Sequence, residues 1–285
     1  MNILKSVFVS AYMMVAMAIS VVAGRSLWST GDALSWGGVL LVTVPFIAVL
    51  SWIMVFKRTA RTSAHFPVLM TLATAGVALS GWGYFRGGSI DAPVLAIAGW
   101  IGFMAYDYWY SSFGHRSSES LEIGRQLPVF ELKNRSGESI DSASLLDKPT
   151  VWIFYRGNWC PLCMAQIKEL AADYQQLQAM GVRVALVSPQ PHKFTVGLAK
   201  KFDVQFDFLS DEGNRAARAL GIAHDNGLPM GLQALGYDSD TVLPTVIITD
   251  ATGKVVWSHQ TDNYRVRPDP DVYLAVLREC GVIEP

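Results

Sequence analysis

Hydrophobic positions along the chain change their pattern near residue 113. Before it they form long runs; after it they recur in short bursts separated by polar turns. Residues 6–24, 33–56 and 66–85 contain no Asp, Glu, Lys or Arg, and each is long enough to cross a bilayer core, which takes ~20 apolar residues. A fourth run, Ala92 to Ser112, is interrupted by Asp107 among Tyr106, Tyr108, Trp109 and Tyr110. Aromatic clusters of this kind sit at headgroup level, where a carboxylate is a solvated helix end. The pattern therefore predicts an all-α membrane domain of four transmembrane helices over residues 1–113. Gly99 and Gly102 suit close packing against a neighbouring helix.

The cationic residues orient these runs. Lys5 precedes the first, Lys57, Arg58 and Arg61 follow the second, and Arg116 and Arg125 follow the fourth; the other side carries only Arg25 and Arg86. By the positive-inside rule the N-terminus, the middle loop and the C-terminal half face the cytoplasm. Lys5 and the first run also fit a signal peptide, whose removal would leave three spans and the same orientation.

Residues 114–127 are polar and read as a juxtamembrane linker. From 128 to 285 strands and helices alternate. Leu127–Leu132 reads as an edge strand opened by a proline, and Asn134–Glu138 as a turn. Pro149–Phe154 is an apolar, β-branched and aromatic run expected to be a buried strand. Met164, Ile167, Leu170, Ala171, Tyr174 and Leu177 then recur at helical spacing up to Gly181. Val182–Val187 reads as a second buried strand, 192–202 as a helix and 206–209 as a short strand. Residues 212–220 follow as a helix capped by Asp211 and stopped by Gly221. Residues 222–243 are Gly-rich and irregular. Thr245–Asp250 and Lys254–Ser258 form a hairpin about Ala251-Thr252-Gly253, and Asp269–Cys280 is the last helix. The order implies an α/β domain with a mixed central sheet flanked by helices.

Composition narrows the chemistry. The formal net charge is -1, and no basic stripe with interleaved aromatics is present, so no nucleic-acid partner is expected. There are three cysteines, too few for a disulfide-stapled scaffold, and a lone C-x-x-C lacks the second pair a structural zinc site would use. Redox use fits better, without metal or cofactor. Cys160 and Cys163 fall where a strand turns into a helix, with Pro161 at the first helical position, where its missing N–H does no harm. Unpaired backbone N–H groups and the helix dipole there favour thiolate, and Arg156 adds positive charge. Tyr155 and Trp159 are expected as walls of the pocket. The apolar runs hold no cysteine, which excludes a transmembrane thiol relay. Cys280 reads as a buried or capping-turn residue, and His192, His224 and His259 are too dispersed to suggest a general base.

Trp159-Cys160-Pro161-Leu162-Cys163 at a strand-to-helix turn, with Leu243-Pro244-Thr245 opening a later strand, resembles the thioredoxin fold. Val187-Ser188-Pro189, Phe208-Leu209-Ser210-Asp211, Ala219-Leu220-Gly221-Ile222, Val246-Ile247-Ile248-Thr249-Asp250 and Gly253-Lys254 follow in the order of its alkyl hydroperoxide reductase/thiol-specific antioxidant, peroxiredoxin-like branch. The resemblance covers about residues 121–280. It implies that Cys160 attacks, that Cys163 resolves, and that Pro244 is a cis-proline beside the pair. The family's Thr or Ser three residues before the attacking cysteine is Gly157 here, and its earlier Pro is Ile153. The expected function is a membrane-anchored thiol oxidoreductase that reduces peroxides or disulfides. Its partners would be an external thioredoxin- or glutathione-like reductant and the lipid bilayer. Protein disulfide exchange without peroxidase activity, and a non-catalytic redox-sensing module, are the alternatives.

Overall fold

The computed structural model describes residues 1–202 and 204–281, without the side chain of Tyr174. The end of the redox domain at residue 285 and the inward helical face assigned to Tyr174 therefore lie outside the described residues. The chain divides into two compact units, one of Leu4–Phe56 and Ser63–Ser112, the other of Met1–Ile3, Lys57–Thr62 and Phe113–Pro285.

The first unit is helical, with α1 (Asn2–Thr30), α2 (Ala33–Phe56), α3 (Pro67–Phe85) and α4 (Asp91–Met104). Three of these, α1 to α3, are long and apolar enough to cross a membrane, not the four expected. The fourth stops at 14 residues because the backbone widens into a π-helical turn over Ala105–Tyr110. There the Ser111 N–H and hydroxyl both donate to Tyr106 O, at 3.1 and 2.7 Å. Asp107 is not a solvated helix end either. It is 1% exposed, with His65 Nδ1 at 3.2 Å, so burial comes with a polar partner. The small residues pack as expected. A Cβ on Gly102 would meet the Tyr12 ring at 2.1 Å, and the Tyr12 hydroxyl donates to Gly99 O at 2.8 Å. A Cβ on Gly76 would meet Gly38 O at 2.5 Å, so α2 and α3 approach backbone to backbone.

The second unit is built on a seven-stranded sheet. Its strands are β1 (Glu131–Lys133), β2 (Ser139–Asp141), β3 (Thr150–Phe154), β4 (Arg183–Ser188), β5 (Asp207–Ser210), β8 (Thr245–Thr249) and β9 (Val255–Gln260), in the order β2-β1-β5-β4-β3-β8-β9. The short ribbon β6 (Ala223–His224) and β7 (Thr241–Val242) stands apart. Strands β3, β4 and β5 are parallel, while β8 runs antiparallel to both β3 and β9. This is the mixed sheet of a thioredoxin-like fold. All five residues of β3 are buried, as its unbroken apolar run requires of a central strand. Trp152, Phe154, Ala185, Val187, Leu209 and Ile247 pack with Phe130, Ala216 and Leu220 in one core; alternate residues such as Val151 and Val184 face the other way.

Several boundaries move. The strand expected at the edge, β1, lies inside the sheet, and β2 takes the edge. The helix after the cysteines is α5 (Pro161–Ala172), followed across Asp173 by α6 (Tyr174–Ala179); α7 is His192–Phe202, α8 Arg215–Ala219 and α9 Pro270–Glu279. Asp211 caps α8 as expected, its two carboxylate oxygens accepting from Ala216 N and Ala217 N at 2.9 Å each. Residues 114–127 are tied down rather than free. Arg116 donates to Thr261 O at 2.8 Å and to Pro244 O at 3.3 Å, Ser118 Oγ donates to Leu220 O at 2.6 Å, and Leu121 joins the core at 1% exposure.

Leu121→Ala is expected to cost about 3 kcal/mol, the usual loss for emptying a buried leucine site, read as a lower Tm of the detergent-solubilised chain. An unchanged Tm would mean the segment is a loose tether.

Candidate active site

The loop from Tyr155 to Cys160 leaves the C-terminal end of β3 and is fixed from three directions. Gly157 has φ +143, and a side chain there would meet Trp159 Nε1 at 2.7 Å, so the indole occupies the space that a larger residue would need. Asn158 N donates to Gln190 Oε1 at 2.7 Å, and Gln190 Nε2 donates to the Tyr155 hydroxyl and to Thr195 Oγ1 at 3.1 Å each. Tyr155 is fully buried, which pushes its hydroxyl pKa up. The Tyr237 hydroxyl donates to Asn158 Oδ1. Arg156 is also buried: its guanidinium lies 4.8 Å from the Trp159 ring centroid and donates to Gly227 O at 2.5 Å. Trp159 thus packs over Gly157 of the loop, with Arg156 against its ring.

Cys160 is the N-cap of α5 in extended backbone, with Pro161 at the first helical position. The backbone N–H of Cys163 donates to Cys160 Sγ at 3.3 Å, satisfying a donor the helix leaves open. The two sulfurs are 2.6 Å apart and unlinked, and both are buried. Facing them is Arg267, whose Nη2 lies 3.5 Å from Cys163 Sγ and 4.0 Å from Cys160 Sγ. Arg267 Nη1 donates to Gln166 Oε1 at 2.8 Å, and Gln166 Nε2 donates to the Tyr273 hydroxyl at 3.0 Å. This ties α5 to α9.

The electrostatics follow from that geometry. Two sulfurs this close cannot both carry charge, so the pair titrates as one unit with a shared proton. Burial pushes the Cys163 thiol up; the contact with Cys160, the Arg267 guanidinium and Arg156 outweigh it and bring Cys163 down to about 5. Burial and the bond to a charged Cys163 push Cys160 well above its ordinary value, against a smaller pull from the two arginines. Burial also works against charge on Arg267, and the two sulfurs more than offset it. One negative charge therefore rests on the pair as a whole, supported by the helix terminus and by the facing cation. That cation, Arg267, lies 104 positions beyond Cys163.

Pro244 requires a second correction. No cis peptide bond occurs among the described residues, so Leu243–Pro244 is trans. The chain runs extended from β7 into β8, with Leu243 N donating to Ile222 O at 2.9 Å and Pro244 O held by Arg116. Pro244 still borders the site: with Gln166, Thr245, His259 and Arg267 it lines a cavity of about 10 Å³. Burial, then Arg116, hold His259 below its ordinary pKa. Cys280 is exposed at the C-terminal cap of α9, a capping position but not a buried one. Arg267, Gln166 and Gln190 were not anticipated. The one available signal was Tyr264-Arg265-Val266-Arg267, two arginines without an intervening acid shortly before Pro270, which opens α9.

Residues 123–258 match the AhpC/TSA family model. The match stops short of Arg267. The chain is 31% identical over 105 residues to chloroplastic peroxiredoxin Q of Populus jackii, covering 36% of this chain and 48% of that protein. It is 32% identical over 101 residues to the peroxiredoxin Q of Gentiana triflora, covering 34% and 45%. It thus spans about half the length of these curated relatives. Among solved structures, peroxidoxin BcpB of Mycobacterium tuberculosis aligns at TM-score 0.47 and 20% identity, over 56% of this chain and 97% of that one.

Because the shifted thiol is depressed, its charge is present above about pH 5 and lost below it. Arg267→Gln removes the facing cation and is expected to raise the midpoint by about 1–3 units, seen in thiolate absorbance at 240 nm across pH. An unmoved midpoint would remove Arg267 from the site.

Proposed function

We propose that the chain is a membrane-anchored thiol peroxidase of the AhpC/TSA type, with Cys160 as nucleophile and Cys163 as resolving thiol. The observation that carries this reading is the contacting sulfur pair under a buried guanidinium at the start of α5. The two sulfurs share one proton, so Cys163 serves as the base for its neighbour. The shared proton passes from Cys160 to Cys163, and the new Cys160 thiolate is supported by the Cys163 N–H and Arg267. That thiolate attacks one peroxide oxygen: an S–O bond forms, the O–O bond breaks, and the departing alkoxide takes the proton now on Cys163. Cys163, again a thiolate, attacks the Cys160 sulfenic acid; an S–S bond forms and hydroxide leaves, becoming water with a proton from solvent. The pair has lost two electrons, and an external thioredoxin- or glutathione-like thiol must return them.

Gly157 supports a second reading. The residue that would present a hydroxyl to peroxide is replaced by a glycine whose space the Trp159 indole fills, while the contacting sulfur pair that thiol–disulfide exchange uses is present. In that case the oxidant is a protein disulfide, attacked by the same Cys160. A redox-sensing module without turnover would use the pair but not the reductant.

For the membrane part, the reading is that the apolar helices anchor the chain with the redox domain on the cytoplasmic side. The distribution of Lys and Arg supports that orientation.

Cys160→Ser is expected to abolish turnover, and Cys163→Ser to accumulate a Cys160 sulfenic acid with peroxide or a mixed disulfide with a protein substrate. Mass spectrometry reads both. Rates with hydrogen peroxide, a lipid hydroperoxide and an insulin-type disulfide separate the two readings; full activity in Cys160→Ser would end both.

A further inference from the structure

The loop between α2 and α3 is short, cationic and, on the reading above, simply a turn at the membrane surface. Its contacts are more specific than that role requires. Arg61 is three-quarters buried and pairs through separate guanidinium nitrogens with Glu169 on α5 and with Asp269, the N-cap of α9. The next residue, Thr62, donates its N–H to Arg265 O at 3.0 Å. Ala60 is 2% exposed. These contacts bracket Arg267: α5 carries both cysteines, Asp269 lies two residues after Arg267, and Arg265 lies two before it.

We propose that residues 57–62 are a positioning element of the redox centre, in which Arg61 clamps α5 to the start of α9 and thereby holds Arg267 against the sulfur pair. The segment 261–268 contains no helix or strand of its own. Its placement therefore depends on its two ends and on whatever grips its middle. Thr245 to Gln260 secure one end through the sheet. Arg61 and Thr62 secure the other, and the Tyr273–Gln166–Arg267 hydrogen bonds transmit that register to the guanidinium. Arg61 acts through Arg267 and not through its own field, since the cations that pull on the sulfurs are Arg267 and Arg156. The consequence is that a piece of chain belonging, by sequence, to the membrane helices sets the acidity of the thiols.

This proposal rests on the thiol-pair reading of the site, and its readout is the thiolate, not turnover, so either can fail alone. In the full-length protein in detergent, Arg61→Gln is expected to move the pH midpoint of the 240 nm thiolate absorbance up by about half a unit or more, toward that of Arg267→Gln. Arg61→Lys should recover part of the shift. Arg218→Gln, which breaks the unrelated pairs with Asp225 and Asp240, should leave the midpoint where it was. In an Arg267→Gln background Arg61→Gln should add nothing further, because the two act in series. A folded Arg61→Gln protein with an unmoved midpoint overturns the proposal, as does an equal shift in the Arg267→Gln background. If Arg61→Gln fails to fold, Glu169→Gln, which removes one arm of the clamp, is read by the same two criteria.

Discussion

A guanidinium buried beside two sulfurs is the constraint on which the rest of the C-terminal unit depends. Removing such an ion from water costs several kcal/mol, even after relaxation, and the burial must be offset by facing negative charge and hydrogen bonds. Arg267 has Gln166 as a neutral acceptor and the sulfur pair as the charge. One thiolate and one guanidinium thus justify each other's burial, and neither would be stable there alone. Burial by itself would make two thiols sealed from solvent inert, and the facing guanidinium works against that.

Much of the surrounding architecture holds that pair in register. Strand β3 delivers the Tyr155–Cys160 loop, and Gly157 lets it turn beneath the Trp159 ring. Gln190 anchors the loop from behind through Asn158, Tyr155 and Thr195. On the opposite side, β9 releases the chain at Gln260 into a polar turn. There the Thr261 hydroxyl donates to Asn263 O at 2.6 Å, and Asn263 Oδ1 accepts from Arg265 N at 3.0 Å. Side-chain oxygens of this kind replace the missing ladder partners of an irregular segment. The site is therefore assembled by α5 from the middle of the domain and by a loop near its end.

Local signals made the first of these components legible and left the second hidden. Strand β3, the Pro161 start of α5, the Asp211 cap and the β8–β9 hairpin each have short-range causes: an apolar run, a helix-start residue, a side-chain acceptor, a Thr-Gly turn. Arg267 has none. Its role arises from proximity between residues more than a hundred positions apart, in a segment lacking any periodic pattern. The same limit applies to the charge on the sulfurs: the helix terminus is a local cause, and only tertiary contact reveals Arg267 beside the pair. Asp107 went astray for a similar reason, because its aromatic neighbours suggested headgroup exposure while His65 supplies a partner. Pro244 had the right neighbourhood, but the extended path from β7 to β8 keeps its peptide bond trans.

If charge on the reduced pair is what Arg267 stabilises, the redox potential of the pair reports it most directly. Equilibrating wild type and Arg267→Met in dithiothreitol or glutathione buffers at pH 7 should show the wild type to be the stronger oxidant by about 30 mV or more, a tenfold change in equilibrium constant for a two-electron couple. Equal potentials, or a wild type more reducing than Arg267→Met, would mean that the guanidinium and the sulfurs are neighbours without being partners.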